Sequence, residues 1–346
     1  MNLQTLLAKL EAAEPQKKDF TLPAKDIDFC QRGESVDMLL RLPCTDDPTV
    51  HDTIDLPNIT DGCHQQIAEK LDIPIIYYRK MLSEAPHLFI DSVRTWLEKF
   101  NDKKFFVRTY SNGSQIARAF LSDNYRVIDN RDVLLSCLEE LQNKETKIEE
   151  AELTETMMFV KVKSEQLRDF IRERNDELIG GILIQNSETG HAAVRIQPRI
   201  FRVQCTNGAI LEQFSTRQIH LGSNGDELQD DIIYLNIRRA IRETFDRFGE
   251  IVNLVRDSAV IGLPDIKVAV NNVVKQYRLT ESQRENILMA YAVEPMETKW
   301  GLVNAITRAA KQEENFERTI EMERLGGRII QLDENKYSRL VKSEVN

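Results

Sequence analysis

The sequence predicts an α+β protein: an antiparallel sheet of hairpins and a meander packed by helices, with a helical N-terminal region and a long-helix C-terminal region. Three observations carry this prediction. Asn112-Gly113 lies between two strand-like runs, Lys104–Tyr110 (KFFVRTY) and Gln115–Leu121 (QIARAFL). Both residues of such a turn take positive φ, which makes Asn-Gly a strong hairpin signal. A second pair, Asn207-Gly208, follows an alternating run from Ala192 to Cys205. Finally, Ile237, Ile241, Phe245, Phe248, Val252, Val255 and Ala259 keep the three-to-four spacing of one helix face.

Three regions follow in order. Residues 1–100 read as mostly helical and hold seven of the ten prolines. Asp61 caps a helix through Lys70, the Ile73-Pro74 break precedes a helix carrying Ile75, Tyr78 and Met81, and Val93, Trp96, Leu97 and Phe100 mark another. Residues 101–222 read as the antiparallel core with two helices. After the hairpin, Asp129 caps a helix carrying Leu134, Leu138 and Leu141, and Thr156–Val162 is a strand. Ser164 is expected to cap a helix with Leu167, Phe170, Ile171, Arg174 and Leu178, stopped by Gly180-Gly181. Ile182–Asn186, Ala192–Cys205 and Ile210–Phe214 then form the meander. Residues 223–346 read as helical: the long helix above, a Thr280/Gln283 capping box, and a last helix from about Thr298 to Leu325. Gly326-Gly327 is expected to end that helix before a short strand, RIIQL.

Composition narrows the class. The 346 residues carry 46 Lys+Arg against 56 Asp+Glu, a net charge of -10, and 41% are hydrophobic. That is too apolar for a disordered chain. No apolar run approaches the ~18–20 residues of a membrane span, and the N-terminus lacks the pattern of a signal peptide. The five scattered cysteines show no C-x-x-C spacing, which argues against a zinc ribbon or a disulfide framework. The expectation is a reduced, cytoplasmic protein without a membrane partner.

The net charge excludes a uniformly basic coat but divides unevenly. Residues 1–100 hold 11 basic and 17 acidic side chains, and residues 139–157 hold 2 and 7. Residues 101–131 hold 6 basic and 3 acidic, and residues 189–221 hold 4 and 1. The two positive windows are the two expected β regions, so one sheet face of an acidic protein is expected to be basic.

Side-chain parity assigns that face. With a two-residue turn, Tyr110, Arg108 and Phe106 pair with Gln115, Ala117 and Ala119, while Phe105, Val107, Thr109, Ile116, Arg118 and Phe120 point to the core. Arg195, Gln197 and Arg199 share one parity. The alternation slips at Ile200-Phe201, which predicts a β-bulge that brings Arg202 and Gln204 to the same side. Half-exposed strands show outward arginines anyway. Read as a site, the face assigns phosphate contacts to Lys103, Lys104, Arg108, Arg118, Arg126, Arg195, Arg199 and Arg202, and base stacking to Tyr110 and Tyr125. Arg118 fits least well, because its parity is that of the core.

Catalytic signatures are missing. The chain has no phosphate-binding glycine loop, no H-E-x-x-H and no G-x-S-x-G. His191 and His220 with Cys205 lack metal-site spacing, and the adjacent Cys63 and His64 diverge on a helix. No catalytic residue, metal or cofactor is expected.

Several segments resemble the phage- and plasmid-related family of domain of unknown function 932. They are ARAFLSDNYRVIDNRDVL (Ala117–Leu134), ETGHAAVRIQPRIFRVQCTNGAI (Glu188–Ile210) and TKWGLVNAITRAA (Thr298–Ala310), with the Gly326-Gly327 pair beyond; QQIAEKLDIPIIYYRKML resembles the family's start. Together they span most of residues 61–330. The resemblance implies a mobile-element origin and no particular reaction. With it, the leading expectation is a non-catalytic, homo-oligomeric accessory protein that binds nucleic acid, single-stranded DNA above all, in annealing or recombination. The alternatives are an anti-defence or assembly protein that binds a host or phage protein, and a metal-dependent nuclease.

Overall fold

The computed structural model describes residues 1–43, 51–171, 176–203, 208–218 and 227–342. Its class is α+β with antiparallel sheets. No described helix is long and apolar enough to cross a membrane.

Among the described residues, the first hundred hold five strands beside four α-helices. Helix α1 (Leu3–Ala13), capped by the Asn2 side chain, is followed by β1 (Lys17–Pro23), β2 (Ile27–Arg32), β3 (Ser35–Pro43), β4 (His51–Leu56) and β5 (Asn58–Ile59). Only then come α2 (Asp61–Lys70), α3 (Ile75–Glu84) and α4 (Pro86–Lys99). The reason is a two-residue period: Ile27 and Phe29, then Val36, Met38 and Leu40, fall on every second position and are buried. The α2 N-cap is Thr60, one residue before Asp61, and its hydroxyl accepts from the Cys63 N–H at 3.3 Å.

Strands β6 (Lys104–Ser111) and β7 (Gln115–Ser122) form the expected hairpin in a sheet of order β1-β6-β7-β5. One core joins Phe105, Val107 and Phe120 of the hairpin, Phe29, Met38 and Leu40 of the three-stranded β2-β3-β4 sheet, and Ile67, Tyr78, Phe89 and Val93 of the helices. The hairpin register differs from the expectation in one respect. Ser111 pairs with Gln115, leaving a three-residue loop, and Arg108 opposes Ala119 while Thr109 opposes Ala117. Arg118 is therefore the extra residue of a β-bulge.

After α5 (Asn130–Leu141), the chain builds a six-stranded sheet from β8 (Thr146–Leu153), β9 (Met158–Ile171), β10 (Asp176–Asn186), β11 (Val194–Arg202), β12 (Gly208–Ile210) and β13 (Thr216–Gln218). Its order is β12-β11-β10-β9-β8, with β13 also paired to β11. The expected helix from Ser164 is part of β9, and the Ser164 hydroxyl donates to the Lys144 carbonyl at 2.6 Å. Arg168 opposes Ile179, but Lys163 opposes Gly181, so four residues of β9 face one of β10. That bulge spaces the apolar residues of a strand as a helix would space them. Gly181 is no helix stop either: a Cβ there would lie 2.0 Å from the Val162 carbonyl oxygen of the neighbouring strand.

Both faces of this sheet are covered. Val160, Val162, Ile182, Ile184, Val194 and Ile196 bury against α1, α5 and α6 (Glu227–Asp246). The expected helix over 237–259 is two, α6 and α7 (Phe248–Val260), separated at Arg247. Helices α8 (Ile266–Tyr277), α9 (Glu281–Val293), α10 (Lys299–Ala309), α11 (Phe316–Ile330) and α12 (Glu334–Val341) complete the C-terminal part around Trp300, which is fully buried. The Thr280/Gln283 capping box is formed, with reciprocal bonds of 3.2 and 2.9 Å. The expected helix from Thr298 breaks into α10 and α11, and Gly326-Gly327 with the expected RIIQL strand lies at the end of α11. A Cβ at Gly327 would sit 1.8 Å from the Ile210 carbonyl oxygen. Glycine there lets α11 lie directly on β12, across the sheet face opposite α5.

Candidate functional site

The family-like segments 117–134 and 188–210 meet where the hairpin sheet abuts the six-stranded sheet. Arg108, 1% exposed, points from β6 into this junction. Its Nε and Nη2 each donate to the Asp19 carboxylate at 2.8 Å, and its Nη1 donates to Asp129 Oδ1 at 2.6 Å and to the Glu188 carbonyl at 3.1 Å. Lys17 Nζ adds bonds to Glu188 at 3.0 Å and Asp129 at 3.3 Å. The bulge turns Arg118 off the core parity, so that its Nη1 reaches Glu188 at 3.3 Å and its Nη2 the Glu155 carbonyl at 2.7 Å. Three cations thus face Asp19, Asp129 and Glu188. Burial pushes Asp129 up, but Arg108 and Lys17 outweigh it and hold the carboxyl below its ordinary value. Asp129 stands at the start of α5, yet its side chain serves Arg108 and Lys17 and makes no cap bond.

Half of the expected basic face is therefore interior. Tyr125, 6% exposed, packs on Phe106, and its hydroxyl donates to the Ser187 carbonyl at 3.3 Å. Arg126 is 1% exposed. Arg199 lies under α11, with Nη2 on Glu323 at 2.8 Å and a second pair to Glu149. Lys161 shares Glu323 at 3.2 Å, and a cavity of about 550 Å³ opens beside this group, lined also by Glu150, Lys311 and Phe316. The bulge expected at Ile200-Phe201 is absent: β11 pairs with β10 without a slip from Arg195 to Arg202. Arg202 therefore points to the face opposite Arg199, where it meets Asp176 at 2.5 Å and Glu294 at 2.8 Å. These are corrections to the sequence reading. Arg108, Arg126, Arg199, Arg202 and Tyr125 are enclosed and do not form a solvent-facing surface. Buried guanidinium groups persist because carboxylates accompany them.

Five expected residues stay nearer solvent. Lys103 and Lys104 are exposed at the start of β6, while Tyr110, Arg118 and Arg195 are half-buried. The Arg118 guanidinium lies 5.7 Å from the centre of the Tyr110 ring. Lys103 and Lys104 line a cleft of about 390 Å³ together with Lys70, Asp102, Phe105, Ser122 and Asp123. On the end of α4 that leads into β6, Lys99 Nζ sits 4.2 Å over Trp96, and Lys103 Nζ sits 4.1 Å over Phe100. Lys25 is adjacent, because the Ala24 N–H donates to the Lys103 carbonyl at 2.9 Å. None of Lys25, Lys70, Lys99, Lys103 and Lys104 pairs with a carboxylate among the described residues. Sequence reasoning missed Lys25, Lys70, Lys99, Trp96 and Phe100. The dense KFNDKK run at 99–104 was the signal, cut by a window that began at 101.

His191 Nδ1 lies 3.0 Å from the Thr189 hydroxyl, and His64 Nδ1 lies 2.9 Å from the Tyr78 hydroxyl. His220 and Cys205 are outside the described residues. Among the described residues, no group of three or more His, Cys, Asp or Glu is placed to hold a metal ion.

No curated protein and no solved structure matches the chain. The model of one protein family matches residues 119–337, which is well over half of the chain and includes most of the two segments that meet at the buried charge cluster. The protein belongs to the family of the Domain of unknown function (DUF932).

Proposed function

We propose that the protein binds nucleic acid, single strands above all, through the lysine patch at the end of its N-terminal part rather than through the covered sheet. The observation that carries this reading is the cleft lined by Lys70, Lys103 and Lys104, with Lys25 next to the Ala24–Lys103 backbone bond and Lys99 and Lys103 over the half-buried rings of Trp96 and Phe100, none of the five paired with a carboxylate among the described residues. Unpaired lysines around a shallow cleft suit phosphates, and the rings offer edges against which bases pack. Two of the five, Lys70 and Lys99, also close helix C-termini, where a cation is favourable by itself. The reading therefore rests on the convergence of all five. Its place is a non-catalytic accessory role of a phage or plasmid in strand annealing or recombination. Homo-oligomers would set several patches along one strand, which offsets the weakness of a single patch.

Fluorescence anisotropy with a labelled single strand tests it. Engagement of four or five lysines gives a slope of log K against log salt of about -3, at roughly 0.7 per neutralised phosphate. Lys103→Ala with Lys104→Ala lowers that slope by about 1.4 and weakens binding on the order of tenfold. Salt-independent binding, or binding untouched by the double variant, overturns the assignment.

A further inference from the structure

Arg195 and Arg217 face each other as a cross-strand pair in β11 and β13, so their side chains leave the sheet on the same side. Neither pairs with a carboxylate among the described residues. Arg195 is half-buried, and its Nε is enclosed without a hydrogen-bond partner. Arg217 is exposed. The nearest acids are engaged elsewhere: Glu212 takes Arg328 Nε at 2.6 Å, and Glu321 takes Arg324 Nη1 at 2.6 Å. The wall beside the pair is built and polar. Arg324, 5% exposed, crosses from α11 and donates to Gln197 at 2.6 Å and to Gln185, the β10 partner of Arg195.

Like charges directly opposite each other destabilise a sheet. Burial and the nearby Arg324 and Arg217 all depress the Arg195 pKa, with Glu212 opposing them only in part. We infer that Arg195 and Arg217 form a binding site for a phosphomonoester group. Two unpaired guanidinium forks match a group that carries nearly two negative charges at neutral pH and three acceptor oxygens. A backbone diester, with one charge, would leave one arginine uncompensated. The site stands apart from the lysine patch in both residues and ligand. Its phosphate belongs either to a small phosphorylated molecule or to the phosphorylated end of a strand.

Thermal unfolding of the full chain in potassium phosphate against potassium chloride at equal ionic strength tests the site. Phosphate should raise Tm by about 2–5 °C at saturation. Arg195→Gln and Arg217→Gln should each abolish that rise. In chloride, both should melt at or above the parent temperature, because a like-charge contact is gone. The Lys103→Ala, Lys104→Ala variant should keep the rise, which separates this site from the strand-binding reading. Strands with a 5′-phosphate and a 5′-hydroxyl, compared by anisotropy, identify the source. Tighter binding of the phosphorylated strand that depends on Arg217 assigns a strand end. Equal binding, with the arginine-dependent Tm rise intact, assigns a small phosphorylated ligand. Equal Tm in phosphate and chloride, or a rise that survives both arginine substitutions, overturns the inference.

Discussion

Arg108 ties the hairpin sheet to the segments before α5 and after β10, because it contacts Asp129 and the Glu188 carbonyl as well as its neighbour Asp19 from one buried position. Arg108→Met keeps most of the stem and deletes the charge, which leaves Asp129 with Lys17 and takes from Asp19 the cation it faces. Removing one partner of a buried ion pair costs about 3–5 kcal/mol. Urea unfolding of the full chain should show a loss of that size, against less than about 0.5 kcal/mol for the exposed Lys104→Ala. A loss below about 1 kcal/mol for Arg108→Met would mean that water or a rearranged Lys17 takes over. His64 works in the opposite direction with pH. Burial, with Asp61 opposing and Arg79 assisting, lowers its pKa from 6.5 to about 4. The folded state thus prefers neutral imidazole, and the unfolded chain binds the extra proton between those values. Stability attached to His64 is complete above about pH 6.5 and is lost as pH falls toward 4. The interval corresponds to roughly 3 kcal/mol at most. His64→Gln should remove that part of the acid sensitivity, read as the difference between the two proteins' unfolding free energies at pH 7 and pH 4.

At the level of elements, glycines test the account of packing. Gly327 lies within α11, where alanine would ordinarily gain about 0.5–1 kcal/mol in helix propensity. Its Cβ would instead meet backbone at 1.8 Å, so Gly327→Ala should destabilise by about 2 kcal/mol or more as α11 lifts from β12. Gly249, near the start of α7, has nothing within 4 Å of its Cβ, and Gly249→Ala should be neutral to mildly stabilising, by up to about 0.5 kcal/mol. Opposite signs in one denaturation series distinguish close approach from propensity. The same elements show what was legible. The Asn112-Gly113 hairpin and the Thr280 capping box were readable because their chemistry is local: positive φ at Gly113, and two reciprocal bonds across one helix turn. The β9 strand was not, because its bulge imitates a helical period and only pairing with β10 reveals it. The arginines of β11 were legible as a cluster but not as interior residues. Outward polarity assumes one open sheet face, whereas here α11 brings Glu323 and Arg324 onto the face that would have been open. No local property of residues 189–221 records the approach of a helix more than a hundred residues later.

On the scale of the whole molecule, the family-matched segment and the structural unit do not coincide. The match begins at residue 119, inside β7, and ends at residue 337, inside α12. Asp129 and Glu188 lie within it, with side chains 16% and 6% exposed. The cations paired with them, Lys17, Arg108 and Arg118, all precede it. A chain cut to 119–337 therefore keeps both carboxylates and discards the three cations paired with them. It also deletes β6, the partner that occupies one edge of β7, and exposes the apolar faces of Ala119 and Leu121. An uncompensated buried charge costs several kcal/mol, which is comparable with the whole stability of an ordinary domain. The fragment should melt well below the full chain and bind a hydrophobic dye at temperatures where the full chain does not. Asp129→Asn with Glu188→Gln should be destabilising in the full chain, where each carboxylate answers a cation. The same pair should raise the melting temperature of the fragment, where neither does. This reversal of sign separates a missing electrostatic partner from simple loss of packing. If the fragment melts with the full chain, residues 1–118 are an appendage to the family unit, and the charge cluster serves something other than folding.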